Sequence, residues 1–284
     1  MGSAWYASSS NPLEINTRGI TGFNTDNEFA RPWTGSPNPD PAPPTNAAYG
    51  MDTSNVAAVS DTEGIAFAWE IFRGGIYPTG YGPMQGQAIL HVTLGTTQPI
   101  ATRKEGLLWG PDKLDIGSMT LFKAGNNPNR GDYIYMYSNS ASTYGPVIVS
   151  RVPVASAFDH AKYQFLKTDG TWDSKGTIPN TSAAGYGMSG SPKAPTSNAQ
   201  GSIMYNGYLG KYMLFTSAME TSGGFYLADT PYGPWRPYYE ILSEGAHYGM
   251  NCHPELSPGS KGQDILVSWG TAAVQTMYTL SFLY

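Results

Sequence analysis

Three carboxylates and one histidine stand where this chain's residue types and spacing suit catalysis. Glu70 follows Trp69 inside an otherwise apolar run, Ile65 to Phe72, with Arg73 three residues on and Gly74-Gly75 leaving room for close approach of a ligand. A glutamate in such a run loses hydration, which raises its pKa and suits it to donate a proton as general acid. The alternative is a structural glutamate, outward-facing or paired with an arginine. Asp115 precedes Ile116-Gly-Ser118; it either faces a site or caps a turn. The densest polar cluster is His253-Pro-Glu255, with His247, Tyr248 and Asn251 just upstream. On a strand His253 and Glu255 would share a face, as a general base or as sugar ligands. A satisfied loop histidine is the competing reading. Two carboxyl groups astride a glycosidic bond, about 5 to 5.5 Å apart for retention or about 6.5 to 9.5 Å for inversion, are what glycoside hydrolysis requires. Glu70, Asp115 and Glu255 are the nominated acids, with His253 beside them. His247, His253 and Glu255 are all metal-ligand types, but their spacing fits no zinc pattern, so neither metal nor cofactor is expected.

Aromatic residues supply the second ingredient of a saccharide site, because sugar C–H faces stack on rings while polar side chains hold the hydroxyls. Trp69, Tyr81, Trp109, Tyr205 and Tyr248 are the candidate platforms, with Arg73, His247 and Asn251 as polar substrate ligands. Most of the remaining Tyr and Trp residues read as sheet core. Ser118 and Ser202, each following a glycine, are candidate hydroxyl donors or simply small residues that permit close packing. Neither a Gly-x-Ser-x-Gly elbow nor a phosphate loop is present.

The elements that must position these residues are strands. The 284 residues include 34 Gly, 22 Pro, 20 Tyr and 7 Trp with only 13% charged residues, a composition of many short strands and turns. No window keeps a helical apolar period. The clearest unit is Ile203–Tyr205, the turn Asn206–Gly210, Lys211–Thr216 and Phe225–Ala228, closed by Pro234-Trp235. Similar units open at Gly64, at Ile116 to Phe122 and at His253. Four such units spaced by about 50 residues or more fit propeller blades, with a β-sandwich as the structural alternative. One domain over residues 1–284 is expected, with 1–62 read as a strand remnant and a Pro-rich loop.

Three further groups of residues carry a resemblance: Glu105-Gly-Leu-Leu-Trp109 with Ile116-Gly-Ser118; Tyr133-Ile-Tyr-Met-Tyr137 with Val149-Ser-Arg-Val-Pro153; and Met204-Tyr-Asn-Gly-Tyr-Leu-Gly-Lys-Tyr212 with Ala228-Asp-Thr-Pro-Tyr-Gly-Pro-Trp235. Over roughly residues 100 to 284 the chain resembles secreted five-bladed β-propellers of the glycoside-hydrolase type, in particular a domain-of-unknown-function family that includes endo-D-arabinanases. Members of that family open on a blade with Asp-Gly-Gly and Gly-Asp-Thr motifs. Neither occurs here before residue 60, so the first blade reads as incomplete or diverged.

The resemblance implies an all-β, five-bladed propeller that hydrolyses a furanose- or uronate-containing polysaccharide. Two other readings stay open. In a polysaccharide lyase, His247 or His253 with a tyrosine would abstract the proton α to a uronate carboxylate while Arg73 neutralises that carboxylate. A glycan-binding propeller would bind without cleaving. The expected partner is a polysaccharide or oligosaccharide, and the chain is expected to act as a monomer. A net charge of −5 with only 16 Lys and Arg argues against a nucleic-acid surface, and no apolar run is long enough to span a membrane. The single cysteine, Cys252, excludes an intrachain disulfide. The sequon at Asn180 and the Lys-poor, aromatic composition point to a secreted, extracellular protein.

Overall fold

The computed structural model describes residues 6–8, 11–16, 30, 33, 35, 40–78, 80–94, 99–103, 105–124, 132–139, 147–180, 185–187, 200–218, 222–243, 248–257, 261–270 and 275–283. The chain divides into two compact units, Met1–Asp115 and Ile116–Tyr284.

In the first unit a hairpin pairs β1 (Tyr6–Ser8) with β2 (Asn11–Asn16). A larger sheet follows, built from β3 (Ala47–Thr53), β4 (Ala57–Ala58), β5 (Glu63–Gly74), β6 (Tyr81–Leu94) and β7 (Pro99–Thr102). Its order is β3-β5-β6-β7, with β4 beside one end of β5. The segment expected to be loop through residue 62 thus contributes a strand, β3, in register with β5 from Ala47 opposite Gly74 to Thr53 opposite Ala68. Alternation sorts the side chains of β5. Ala66 and Ala68 pack with Met51, Leu90, Val92 and Ala30 on one face, whereas Phe67 and Trp69 lie on the other. The β5–β6 connection turns at Gly74 and Gly75, both at positive φ. A Cβ on Gly75 would lie 2.6 Å from the Ala47 nitrogen, so backbone and side-chain space both demand glycine there.

The second unit contains three sheets, each a continuous antiparallel meander. The first runs β8 (Thr120–Lys123), β9 (Tyr133–Asn139), β10 (Val147–Pro153), β11 (Gln164–Leu166) and β12 (Trp172–Asp173); the next runs β13 (Ser202–Asn206), β14 (Lys211–Ala218), β15 (Ser222–Ala228) and β16 (Tyr238–Leu242); the last runs β17 (Tyr248–His253), β18 (Asp264–Gly270) and β19 (Gln275–Ser281). The sheets pack face to face in sequence order. Tyr135, Tyr137 and Val149 meet Ile203, Leu214 and Trp235 in one core. Met213, Phe215 and Phe225 meet Met250, Ile265, Val267 and Trp269 in the next. Buried phenols are satisfied by backbone carbonyls: Tyr137 donates to Pro231 and Tyr163 to Ala157.

The chain is therefore all-β, with one blade-like sheet in the first unit and three in the second, each closing before the next begins. Among the described residues the only further sheet is the β1–β2 hairpin, so a fifth blade is not seen there. The expected strand Ile116 to Phe122 begins later, at Thr120. Gly117, at φ 74°, turns the chain before it and cannot continue a strand.

Candidate functional site

The first unit holds a buried charged cluster. Glu70 lies on the β5 face that carries Ala66 and Ala68, opposite Met51 of β3 and Gly86 of β6. The β5–β6 register shifts on both sides of Ile71. Such bulges re-aim side chains, and they are common next to active sites. Arg103, just past β7, donates from Nη2 to Asp40 Oδ2 at 2.8 Å and from Nη1 to Glu70 Oε2 at 3.5 Å. The Leu107 amide donates to the other Asp40 oxygen at 2.7 Å. All three side chains are buried, with Glu70 at 0% exposure. Burial first, then the Asp40 charge and a hydrogen bond to Asp40, push the Glu70 pKa up to about 8, against the lowering effect of Arg103. The neutral form of Glu70 is thus favoured beside the Asp40–Arg103 ion pair. Among the described residues its Oε1 and the Arg103 Nε meet no hydrogen-bond partner. In this conformation no part of Glu70 meets solvent.

Arg73 does not belong to this cluster. Three residues from Glu70 on a strand, it points to the opposite face of β5, where Nη2 contacts both oxygens of Asp52 at 2.8 and 2.9 Å. The expected glutamate–arginine pairing exists, but its cation is Arg103. Trp69 and Trp109, expected as sugar platforms, are core residues exposed by only 7% and 9%. Trp109 packs on Phe67 and donates Nε1–H to Gln87 Oε1 at 2.8 Å. Neither ring has a face to offer a sugar. Tyr81 opens β6.

Asp115 contrasts with Glu70. It is partly buried, and among the described residues no hydrogen bond or ion pair holds its carboxyl. Burial alone raises its pKa to about 7. An unpartnered carboxyl that solvent can reach, protonated near neutrality, is chemically a proton donor without a structural task.

In the second unit His253 ends β17, and Glu255 falls in a 3₁₀ turn, Pro254–Leu256, instead of continuing the strand. The proline after His253 removes the ladder donor that a longer strand would need. The two side chains nevertheless meet, His253 Nδ1 lying 3.6 Å from Glu255 Oε1, while Nε2 lies 2.6 Å from Ser268 Oγ on β18. Asn251 donates to its own neighbour's carbonyl, Gly249 O, at 2.8 Å. Tyr248 opens β17, and His247 lies outside the described residues. Tyr205 is half-exposed and packs edge-on against Tyr212. The two nominated serines tie backbone: Ser118 Oγ accepts from the Asn139 amide and Ser202 Oγ from the Cys252 amide. Burial pushes the Cys252 thiol up to about 12, so it stays protonated. Among the described residues no three His, Cys, Asp or Glu side chains gather as a metal site.

Sequence reasoning missed Asp40 and Arg103. Asp40 sits between Pro39 and Pro41, where no periodicity points anywhere. Arg103 offered the one usable signal, a cation directly after a strand in a chain with few charges.

No family model matches the chain, and neither does any curated protein. Among solved structures, a "putative hydrolase" from Bacteroides ovatus matches with a TM-score of 0.52 at 15% identity. The match covers 80% of this chain, which spans 55% of the length of the other. At that identity the likeness is one of fold.

Proposed function

We propose that the protein is a secreted carbohydrate-active hydrolase that cleaves a furanose- or uronate-containing polysaccharide, with Asp115 as general acid. The observation that carries this reading is the Asp115 carboxyl itself: partly buried, unpartnered among the described residues, and held with a pKa of about 7. A general acid works best with a pKa near the operating pH, so it is protonated at rest yet ready to give the proton to a leaving oxygen. The Asp40–Arg103–Glu70 cluster fixes the interior of the sheet β3–β7. The fold likeness to a protein described as a hydrolase, the five-bladed family resemblance and the exposed position of Asn180 support the same reading. The lyase alternative loses its neutralising cation, because Arg73 is engaged by Asp52.

The test is incubation with a panel of arabinan- and uronate-containing polysaccharides, following reducing ends and ultraviolet absorbance in parallel. Reducing ends without absorbance are expected, falling roughly 10²- to 10⁴-fold in Asp115→Asn. An unsaturated, absorbing product would replace hydrolysis by elimination. Tight glycan binding with no new ends would make the protein a binding module.

A further inference from the structure

The last sheet carries a constellation that the glycosidase reading does not use. His253 Nε2 is 2.6 Å from Ser268 Oγ, and His253 Nδ1 is 3.6 Å from Glu255 Oε1. A hydroxyl, an imidazole and a carboxylate linked in that order are the parts of an activated serine nucleophile. The sheet presents them together. Asn251 and His253 on β17 are paired with Ser268 and Leu266 on β18, so all four lie on one face. Their neighbours Met250, Cys252, Ile265, Val267 and Trp269 point the other way, into the apolar core. The His253 imidazole is a quarter exposed and Ser268 is partly exposed, so a solute can reach them. β17 carries one extra residue between Tyr248 and Asn251, directly beside the Asn251–Ser268 pair. A bulge leaves its extra residue out of the ladder, which places unladdered backbone next to the hydroxyl. Leu266, two residues before Ser268, and Met277, opposite it on β19, give the same face an apolar border.

We propose that Ser268, His253 and Glu255 form a second hydrolytic site, one that cleaves small acyl esters. Ser268 Oγ attacks the ester carbonyl as its proton passes to His253 Nε2. The tetrahedral intermediate collapses, the C–O bond to the alcohol breaks, and His253 returns the proton to the departing alkoxide. Water, deprotonated by the same nitrogen, then attacks the acyl-serine ester and releases the carboxylic acid, which restores the hydroxyl. Glu255, 3.6 Å from Nδ1, stabilises the imidazolium by its charge. A short acyl chain lies against Leu266 and Met277. The proposal is independent of Asp115, and either activity can fail without the other.

The experiment treats the full-length protein with a fluorophosphonate probe and maps the adduct by mass spectrometry, alongside p-nitrophenyl acetate hydrolysis. The adduct is expected on Ser268. Ser268→Ala should abolish labelling and lower ester turnover roughly 10³-fold or more, His253→Ala should do the same, and Glu255→Gln should have a smaller effect. Thermal unfolding of Ser268→Ala, a loss of one oxygen on an accessible face, checks that the fold is intact. Wild-type protein that takes no label, an adduct on another residue, or equal ester turnover in Ser268→Ala overturns the proposal.

Discussion

The sheet β13–β16 and the sheet β3–β7 solve the problem of burial in opposite ways. The former is filled with rings and aliphatics on both faces, from Ile203, Leu214 and Trp235 on one side to Phe215 and Phe225 on the other. The latter buries an aspartate, an arginine and a glutamate beneath an otherwise apolar strand. Apolar packing stabilises without geometric demands, whereas a buried ion pair roughly breaks even and matters most when it is broken. The contrast teaches that the sheet filled by apolar packing is the structural one, and that the sheet with buried charges, and two register shifts beside Glu70, is under another constraint.

Breaking the polar side of that comparison has the largest effect. Arg103→Met leaves Asp40 and Glu70 buried without their cation, and is expected to cost about 3 to 5 kcal/mol in chemical denaturation. A loss below about 1 kcal/mol would mean that the cluster is hydrated. On the apolar side, Leu214→Ala should cost about 3 kcal/mol by cavity formation, without changing the pH dependence of stability.

A finer test uses the sign of the Glu70 shift. Its folded pKa, about 8, lies above the ordinary 4.5. Between those values the folded state holds a proton that the unfolded state has lost. The group's contribution is therefore fully present below about pH 4.5, falls as pH rises, and is gone above about pH 8. Denaturation midpoints should decline across that window in the wild type. The decline should flatten in Glu70→Gln; an unchanged slope would place the titration elsewhere, Asp115 being the other acid with a raised pKa. The smallest effect belongs to the exposed Lys211–Asp229 pair beside β14, where Lys211→Met should change stability by less than about 1 kcal/mol.

Much of the blade pattern was legible because turn residues and aromatic strands announce themselves locally. Asn206 to Gly210 marks the β13–β14 turn, and Pro234-Trp235 the packing that closes the sheet. What was not legible depended on partners far apart in sequence. Glu70 was found from its apolar surroundings, but its partners came from residues 40 and 103, and sequence proximity wrongly favoured Arg73. Trp69 and Trp109 looked like sugar platforms because the sequence does not say which face of a strand meets the core. Glu255 sat at strand spacing from His253, yet Pro254 ended the strand between them.

The most direct test of the central claim is the pH–rate profile of polysaccharide hydrolysis. If Asp115 is the general acid, activity should fall above about pH 7 as its carboxyl ionises, and Asp115→Asn should lose both that descending limb and most of the rate. A variant that hydrolyses at the wild-type rate with the same descending limb would contradict the assignment.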